Sequence, residues 1–305
     1  ARDSAKQVLR RFGPVMIGMG ALQINTLADT AIAMWPVWVG PMIFGTAYPL
    51  DVASNSVLGF TQRLYQFPLG VFGIAVATAV FPMLARAADR EADFADTLRR
   101  GLRLSLFIGL PASVGLIAVR HDLTAVIYGG PASAFSDDGL ARSAAVLLGY
   151  ATAVWAYSLN QVLARAFYAR GDTATPMRIS LVMVAINLAA GLSLMWPLGE
   201  AGLAWATAIA ACLQFVLLAW LVRHKLGVRI IEAGSVRTIA TAAVGSALVA
   251  VTVWGLGLAF GPPQSWATQL VRLVACTAAG AGAYAVWSWL ARCPELRWLI
   301  SRGRA

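Results

Sequence analysis

Eight apolar stretches separated by polar connections run along the chain, at roughly 12–39, 52–85, 104–119, 143–168, 179–196, 201–222, 238–260 and 266–290. A hydrocarbon layer about 30 Å thick takes about 20 helical residues, and these runs have that scale. Strict two-residue alternation of the β-barrel kind is absent, and backbone groups in lipid must then be satisfied within helices. The pattern predicts an all-α polytopic membrane protein of about eight transmembrane helices. Composition agrees: 59% of the 305 residues are hydrophobic, 12% are charged and the mean hydropathy is +0.70, more apolar surface than a water-soluble core hides.

Basic residues set the orientation. Residues 1–11 carry Arg2, Lys6, Arg10 and Arg11, whereas 40–51 carry none. Arg86, Arg90, Arg99, Arg100 and Arg103 follow the second run, Arg165, Arg170 and Arg178 the fourth, and Arg223, Lys225, Arg229 and Arg237 the sixth. Arg292, Arg297, Arg302 and Arg304 close the chain, so 20 of 24 basic residues fall on alternate connections or the two tails. By the positive-inside rule both termini face the cytoplasm. The net charge of +10 is thus topological, spread over loops without aromatic interleaving; it speaks against nucleic acid as a partner and for anionic membrane lipids.

Four cations lie elsewhere. Arg120 and Arg142 fall in the longer external connection, and Arg272 stands near the start of the last helix, from where it can snorkel. Arg63 is different: about eleven residues into its run, it sits roughly 17 Å from the outer end, where a charge costs about 2.5–3.5 kcal/mol. Gln62 and Gln66 flank it on a polar face that reaches back to Asn55 and Ser56. Gln23, Asn25, Thr26, Asp29 and Thr30 gather amides, hydroxyls and a carboxylate on the first helix. Two readings follow. Arg63 and Asp29 form an internal ion pair that fixes packing, or the two polar faces line an aqueous cavity in which Arg63 offers a planar donor fork to phosphate or carboxylate. The second polar face favours the cavity.

Other polar positions, Tyr150, Ser158, Asn160, Gln161, Asn187, Thr207 and Gln214, are read first as interhelical hydrogen bonders. Enzyme signatures are thin. His121 and His224 are far apart, Cys212, Cys276 and Cys293 lack metal or redox spacing, and the acids at 89, 91, 93 and 96 sit among arginines as a solvated loop. Phosphate loops and nucleophile elbows are missing, so no catalytic residue, metal or cofactor is expected.

The strings RLYQFPLGVFGIAVATAVFPMLAR (63–86), LTAVIYGGPASAF (123–135) and LARAFYARGDTATPMRISL (163–181) resemble the MurJ/MviN family of lipid II flippases, in the MOP exporter superfamily. The resemblance implies a transporter of fourteen helices in the bacterial inner membrane: two six-helix lobes around a cavity, then two further helices. It moves lipid II, the undecaprenyl-diphosphate-linked peptidoglycan precursor, from the cytoplasmic to the periplasmic leaflet by alternating access. This chain resembles helices seven to fourteen, with 1–223 as the second lobe and 224–305 as the additional helix pair (234–293) and a basic tail. The first lobe of the same transporter would be its partner.

Arg63 matches a family cavity arginine, which implies contact with the lipid II head alongside Gln62, Gln66 and Asn55; Gln66 replaces an acidic residue of the motif. Coupling to sodium in this lobe would involve Asn187 and Thr207. The acid expected one turn after Asn187 is Gly191, which leaves Asp29, with Asn25, to hold a sodium ion or a proton. The last two helices would hold the polyprenyl tail. A MATE-like or polysaccharide-lipid exporter shares this architecture, and without the first lobe a non-transporting membrane remnant is the reading from another class. A membrane glycosyltransferase would need paired carboxylates at the membrane face.

Overall fold

A computed structural model describes residues 20, 23–130, 135–263, 265–296 and 298. Residues 23–33 are helical (α1), and the rest of the first apolar run before residue 23, Gly20 apart, lies outside the described residues. A short turn of helix, Trp35–Trp38 (α2), leads to a two-stranded hairpin, β1 (Met42–Ile43) and β2 (Thr46–Ala47), in the connection that carries no Lys or Arg. Then come α3 (Ser54–Pro68), a π-helical stretch (Leu69–Ile74), α4 (Ala75–Arg86), α5 (Glu91–Tyr128), α6 (Asp137–Ala151), α7 (Val154–Ala169), α8 (Ala174–Leu198), α9 (Glu200–Lys225), α10 (Ala233–Phe260) and α11 (Trp266–Leu290). Seven continuous helical segments among the described residues are long and apolar enough to cross a membrane. The chain is an all-α, multi-pass membrane protein.

Local chemistry explains the helix ends. Glu91 and Asp93 place negative charge in the first turn of α5, and the Ser136 hydroxyl caps α6 by accepting from Gly139 N at 3.1 Å. A Ser265/Thr268 capping box starts α11. Pro68 has no N–H to donate, and the helical ladder slackens into the π stretch that separates α3 from α4. Two expected boundaries change. The run at 104–119 is the apolar centre of a 38-residue helix, about 57 Å long, whose start is polar and arginine-rich and which is longer than a hydrocarbon layer of about 30 Å. The run at 143–168 is two helices, α6 and α7, meeting at Thr152 and Ala153.

One core cluster, around Leu84, Phe94, Leu98, Leu163, Phe167 and Leu218, joins α4, α5, α7 and α9. Another, around Val57, Leu147, Tyr150 and Leu203, joins α3, α6 and α9. Small residues let helices close up: a Cβ on Gly149 would stand 2.8 Å from Ala204 Cβ, and one on Gly109 would stand 3.1 Å from Trp155 Cα.

Helices α10 and α11 dock on α5 through Val119, Val249, Val253 and Cys276. Polar ties hold both ends of the pair. Arg272 makes an ion pair with Asp122 at 3.1 Å, so it is anchored to α5 rather than snorkelling. The Trp266 indole donates to Val126 O at 3.0 Å, and the Tyr284 hydroxyl to Phe107 O at 2.6 Å. At the other end Glu295, fully buried, accepts from Thr238 at 2.7 Å with Arg103 3.9 Å away.

Candidate transport site

Helix α3 is two-faced. Val57, Leu58, Thr61 and Tyr65 are buried, and Tyr65 stacks on Tyr150 (4.5 Å between centroids) and Tyr157 (5.9 Å). The opposite stripe, Phe60, Arg63, Gln66 and Phe67, is exposed, with Asn55 and Gln62 half-buried at its flank. Spacings of three, four and seven put all four sequence-chosen residues, Asn55, Gln62, Arg63 and Gln66, on or beside one open face.

Arg63 does not pair with Asp29: among the described residues no ion pair joins them, and the guanidinium carbon lies 5.4 Å from the centre of the Phe60 ring. The packing reading of Arg63, an internal pair with Asp29, therefore has no contact behind it. A face with a fixed positive charge, three amides and, among the described residues, no carboxylate ion-paired to the arginine has the chemistry to bind an anion.

A second polar group forms between α1, α8 and α9. Asn25 Nδ2 donates to Asp29 Oδ2 at 3.4 Å, and Asn187 Nδ2 donates to Asn25 Oδ1. The Thr207 hydroxyl lies 3.3 Å from Asn187 Oδ1 and 2.9 Å from Leu203 O. With a single proton, Thr207 can serve only one of these acceptors at a time. Asp29, Asn25, Asn187 and Thr207 are thus one continuous hydrogen-bonded set of oxygen-bearing side chains with one carboxylate, a chemistry that suits a hard cation. Gly191, one turn on from Asn187, packs against α9: a Cβ there would be 3.0 Å from Leu203 Cδ2. A side chain there would crowd that wall, and among these four residues Asp29 alone carries a negative charge. Several other polar positions are interhelical or local hydrogen bonders: Asn160 donates to Ala211 O at 2.9 Å, Ser158 to Val154 O at 3.0 Å, and Gln214 to Ser180 at 3.3 Å.

The strongest polar cluster was not anticipated. Arg142 is helical, not in a loop. Its Nε donates to Glu200 Oε1 at 2.6 Å, and its two Nη groups reach Asp51 at 2.8 and 3.0 Å and Ser54 Oγ at 3.1 Å. This clamp ties the starts of α3 and α9 to α6. The Arg142 hydrogen bonds, opposed by partial burial and aided by Ser54 and the Ala53 amide, hold the Asp51 carboxyl down at about 2. The available signal was that Asp51 and Glu200 are carboxylates at two helix starts in connections nearly free of cations.

A lobe of helices, one of them interrupted by a π stretch, with an open polar face and a helix pair docked on α5, is a fold shared with solved transporters of the MOP superfamily. A solved "Lipid II flippase MurJ, inward closed conformation" superposes with a TM-score of 0.74 at 20% identity, over 95% of this chain and 55% of that one. An outward-facing multidrug resistance MATE transporter gives 0.61 at 14% identity, over 95% and 66%. The sequence model of the family described as "Lipid II flippase MurJ" matches residues 1–289, and the chain belongs to that family. Similar relatives include the "Probable lipid II flippase MurJ" of Vibrio cholerae, 33% identical over 207 residues (67% of this chain, 36% of the relative). That of Thermotoga maritima is 32% identical over 209 residues (68% and 40%). The chain therefore spans about two fifths of the length of the curated relatives it matches.

Proposed function

We propose that this chain carries the second lobe (1–223) and the additional helix pair (224–305) of a lipid II flippase in the bacterial inner membrane, with both termini cytoplasmic. It works against another lobe of the same transporter and moves lipid II outward by alternating access. The observation that carries this reading is Arg63, presented on the open face of α3 with an aromatic ring beneath it and, among the described residues, no ion-paired carboxylate. Its planar fork suits the diphosphate of the lipid head, and Gln62, Gln66 and Asn55 offer amides to neighbouring sugar and peptide groups. A MATE-like exporter of cationic cargo would want carboxylates on that face; a fixed guanidinium repels such cargo.

The set formed by Asp29, Asn25, Asn187 and Thr207 fits a sodium ion by its oxygen chemistry, and a proton on Asp29 would serve the same purpose. Either binds where α1 meets α8 and α9, so its arrival would change how those helices pack. The cation supplies positive charge to Asp29; Asn25 orients that carboxylate by a direct hydrogen bond, and Asn187 in turn holds Asn25.

The test is complementation of a flippase-depleted cell by the gene in its full reading frame. Arg63→Ala should abolish growth support while membrane abundance stays unchanged. Normal growth of this variant would sink the reading.

A further inference from the structure

A continuous run of contacts joins the Asp29 set to α3, and its last links are aromatic. Thr207, which shares its hydroxyl between Asn187 Oδ1 (3.3 Å) and Leu203 O (2.9 Å), offers its own carbonyl to the Tyr157 hydroxyl at 3.2 Å. Tyr157 stacks on Tyr65 of α3 with the planes 25° apart, and Tyr150 stacks on the same ring, 24° off. Tyr65 and Tyr150 are buried. A second side-chain bond, from Asn160 Nδ2 to Ala211 O at 2.9 Å, holds α7 to α9 one turn further along, so a shift of α9 at Thr207 is handed to α7. Three residues beyond Tyr65, α3 gives way at Pro68 to the π stretch, Leu69–Ile74, where a slack helical ladder allows a bend.

We infer that Tyr157 and Tyr65 are positioning residues that transmit occupancy of the set formed by Asp29, Asn25, Asn187 and Thr207 to the tilt of α3. The inference rests on reading that set as a cation site, and not on the nature of the cargo. The element with two arrangements is Thr207. A cation drawn to Asn187 Oδ1 takes up that oxygen, and the single Thr207 proton then settles on Leu203 O. The hold of α9 on α8 changes at the level where Thr207 O keeps the Tyr157 hydroxyl. Close-packed interiors pass such shifts on rather than absorb them, and Tyr65, stacked on two rings, cannot turn without α3. Gln62, Arg63 and Gln66 lie within one turn of Tyr65 on the same helix, so a tilt of α3 about the π stretch re-aims all three. The alternative, that the rings only fill the core, predicts lower stability on their removal and no change in how α3 responds to a cation.

The test is hydrogen–deuterium exchange of the full-length transporter in lipid nanodiscs, in sodium chloride against potassium chloride, with Asp29→Asn standing in for a protonated carboxylate. In the unaltered protein, sodium or Asp29→Asn should change exchange in α8 and α9 and also in α3, there by about fivefold, the low end of couplings between separate sites. In Tyr65→Leu the response of α8 and α9 should remain, while that of α3 falls to within about twofold. Tyr157→Phe, which keeps the ring and drops the bond to Thr207 O, should weaken the α3 response; Tyr65→Phe, which keeps the stack, should leave it intact. An α3 response undiminished in Tyr65→Leu or in Tyr157→Phe, or missing from the unaltered protein while α8 and α9 respond, overturns the relay and leaves the cation site standing. Should Tyr65→Leu fail to fold, Tyr157→Phe decides alone. Silence of all three helices to sodium and to Asp29→Asn overturns the cation site and the relay together.

Discussion

Arg63 and Arg142 face opposite fates in one helical lobe. Arg142 is enclosed by Asp51, Glu200 and Ser54, its fork filled by the protein itself. Arg63 lies exposed over Phe60 and, among the described residues, makes no ion pair. A cation that serves packing is paid for by partners within the fold, because an unpaired buried charge is too costly. A cation kept on an open face without such partners has its counter-charge supplied from outside. Burial and pairing, rather than membrane depth alone, separate the structural arginine from the one we propose binds cargo.

The sharpest way to break this contrast is to remove each arginine and read stability and transport separately. Arg63→Ala should eliminate lipid II flipping in reconstituted vesicles with no change in thermal midpoint. Arg63→Lys should also lose most activity, because an ammonium cannot reproduce the bidentate fork. The pair Arg63→Gln with Asp29→Asn should stay inactive; recovery of function would restore the packing role for Arg63.

Arg142→Ala should do the reverse at first order, lowering stability by about 3 kcal/mol because it strands the buried Glu200. Detergent-solubilised protein would show this as a lower melting temperature and reduced abundance. Adding Glu200→Gln should recover part of the loss, since the buried unpaired charge is then removed while the exposed Asp51 stays hydrated. A stable, inactive Arg142→Ala would make the clamp functional and erase the distinction.

Asp29→Asn should flatten the dependence of flipping on sodium or membrane potential. One elementary charge across the membrane is worth about 2.3 kcal/mol per 100 mV, enough to bias two conformations. Vesicles with sodium and potential varied independently would measure it, and a steep sodium requirement surviving Asp29→Asn would contradict the assignment.

The smallest effect is on pH. Asp51 is held at about 2 against an ordinary 3.8, so its stabilising contribution is complete above pH 4 and is lost as pH falls through that window. Asp51 is mostly exposed, and after allowance for solvent screening the loss is about 1 kcal/mol. Melting curves from pH 6 to 3 should show a decline that Arg142→Ala lacks.

Hydropathy alone determined that this is a helical, multi-pass membrane protein, because lipid permits few backbone solutions and the apolar runs are long. Periodicity on α3 likewise placed Asn55, Gln62, Arg63 and Gln66 on one face, since an i, i+3, i+4, i+7 relation is local. Helix continuity was less legible: α5 outran its apolar centre because a polar, arginine-rich segment can stay helical after leaving the bilayer. Only the tertiary structure decided which polar groups meet. Asn25 and Asn187 are separated by 162 positions and join in one hydrogen bond, Asp51 and Arg142 by 91, and Phe60 and Tyr128 by 68. It also decided which arginine is satisfied, because hydropathy counts a charge as a cost wherever it falls, whereas a three-dimensional fold can surround one guanidinium with carboxylates and leave another open.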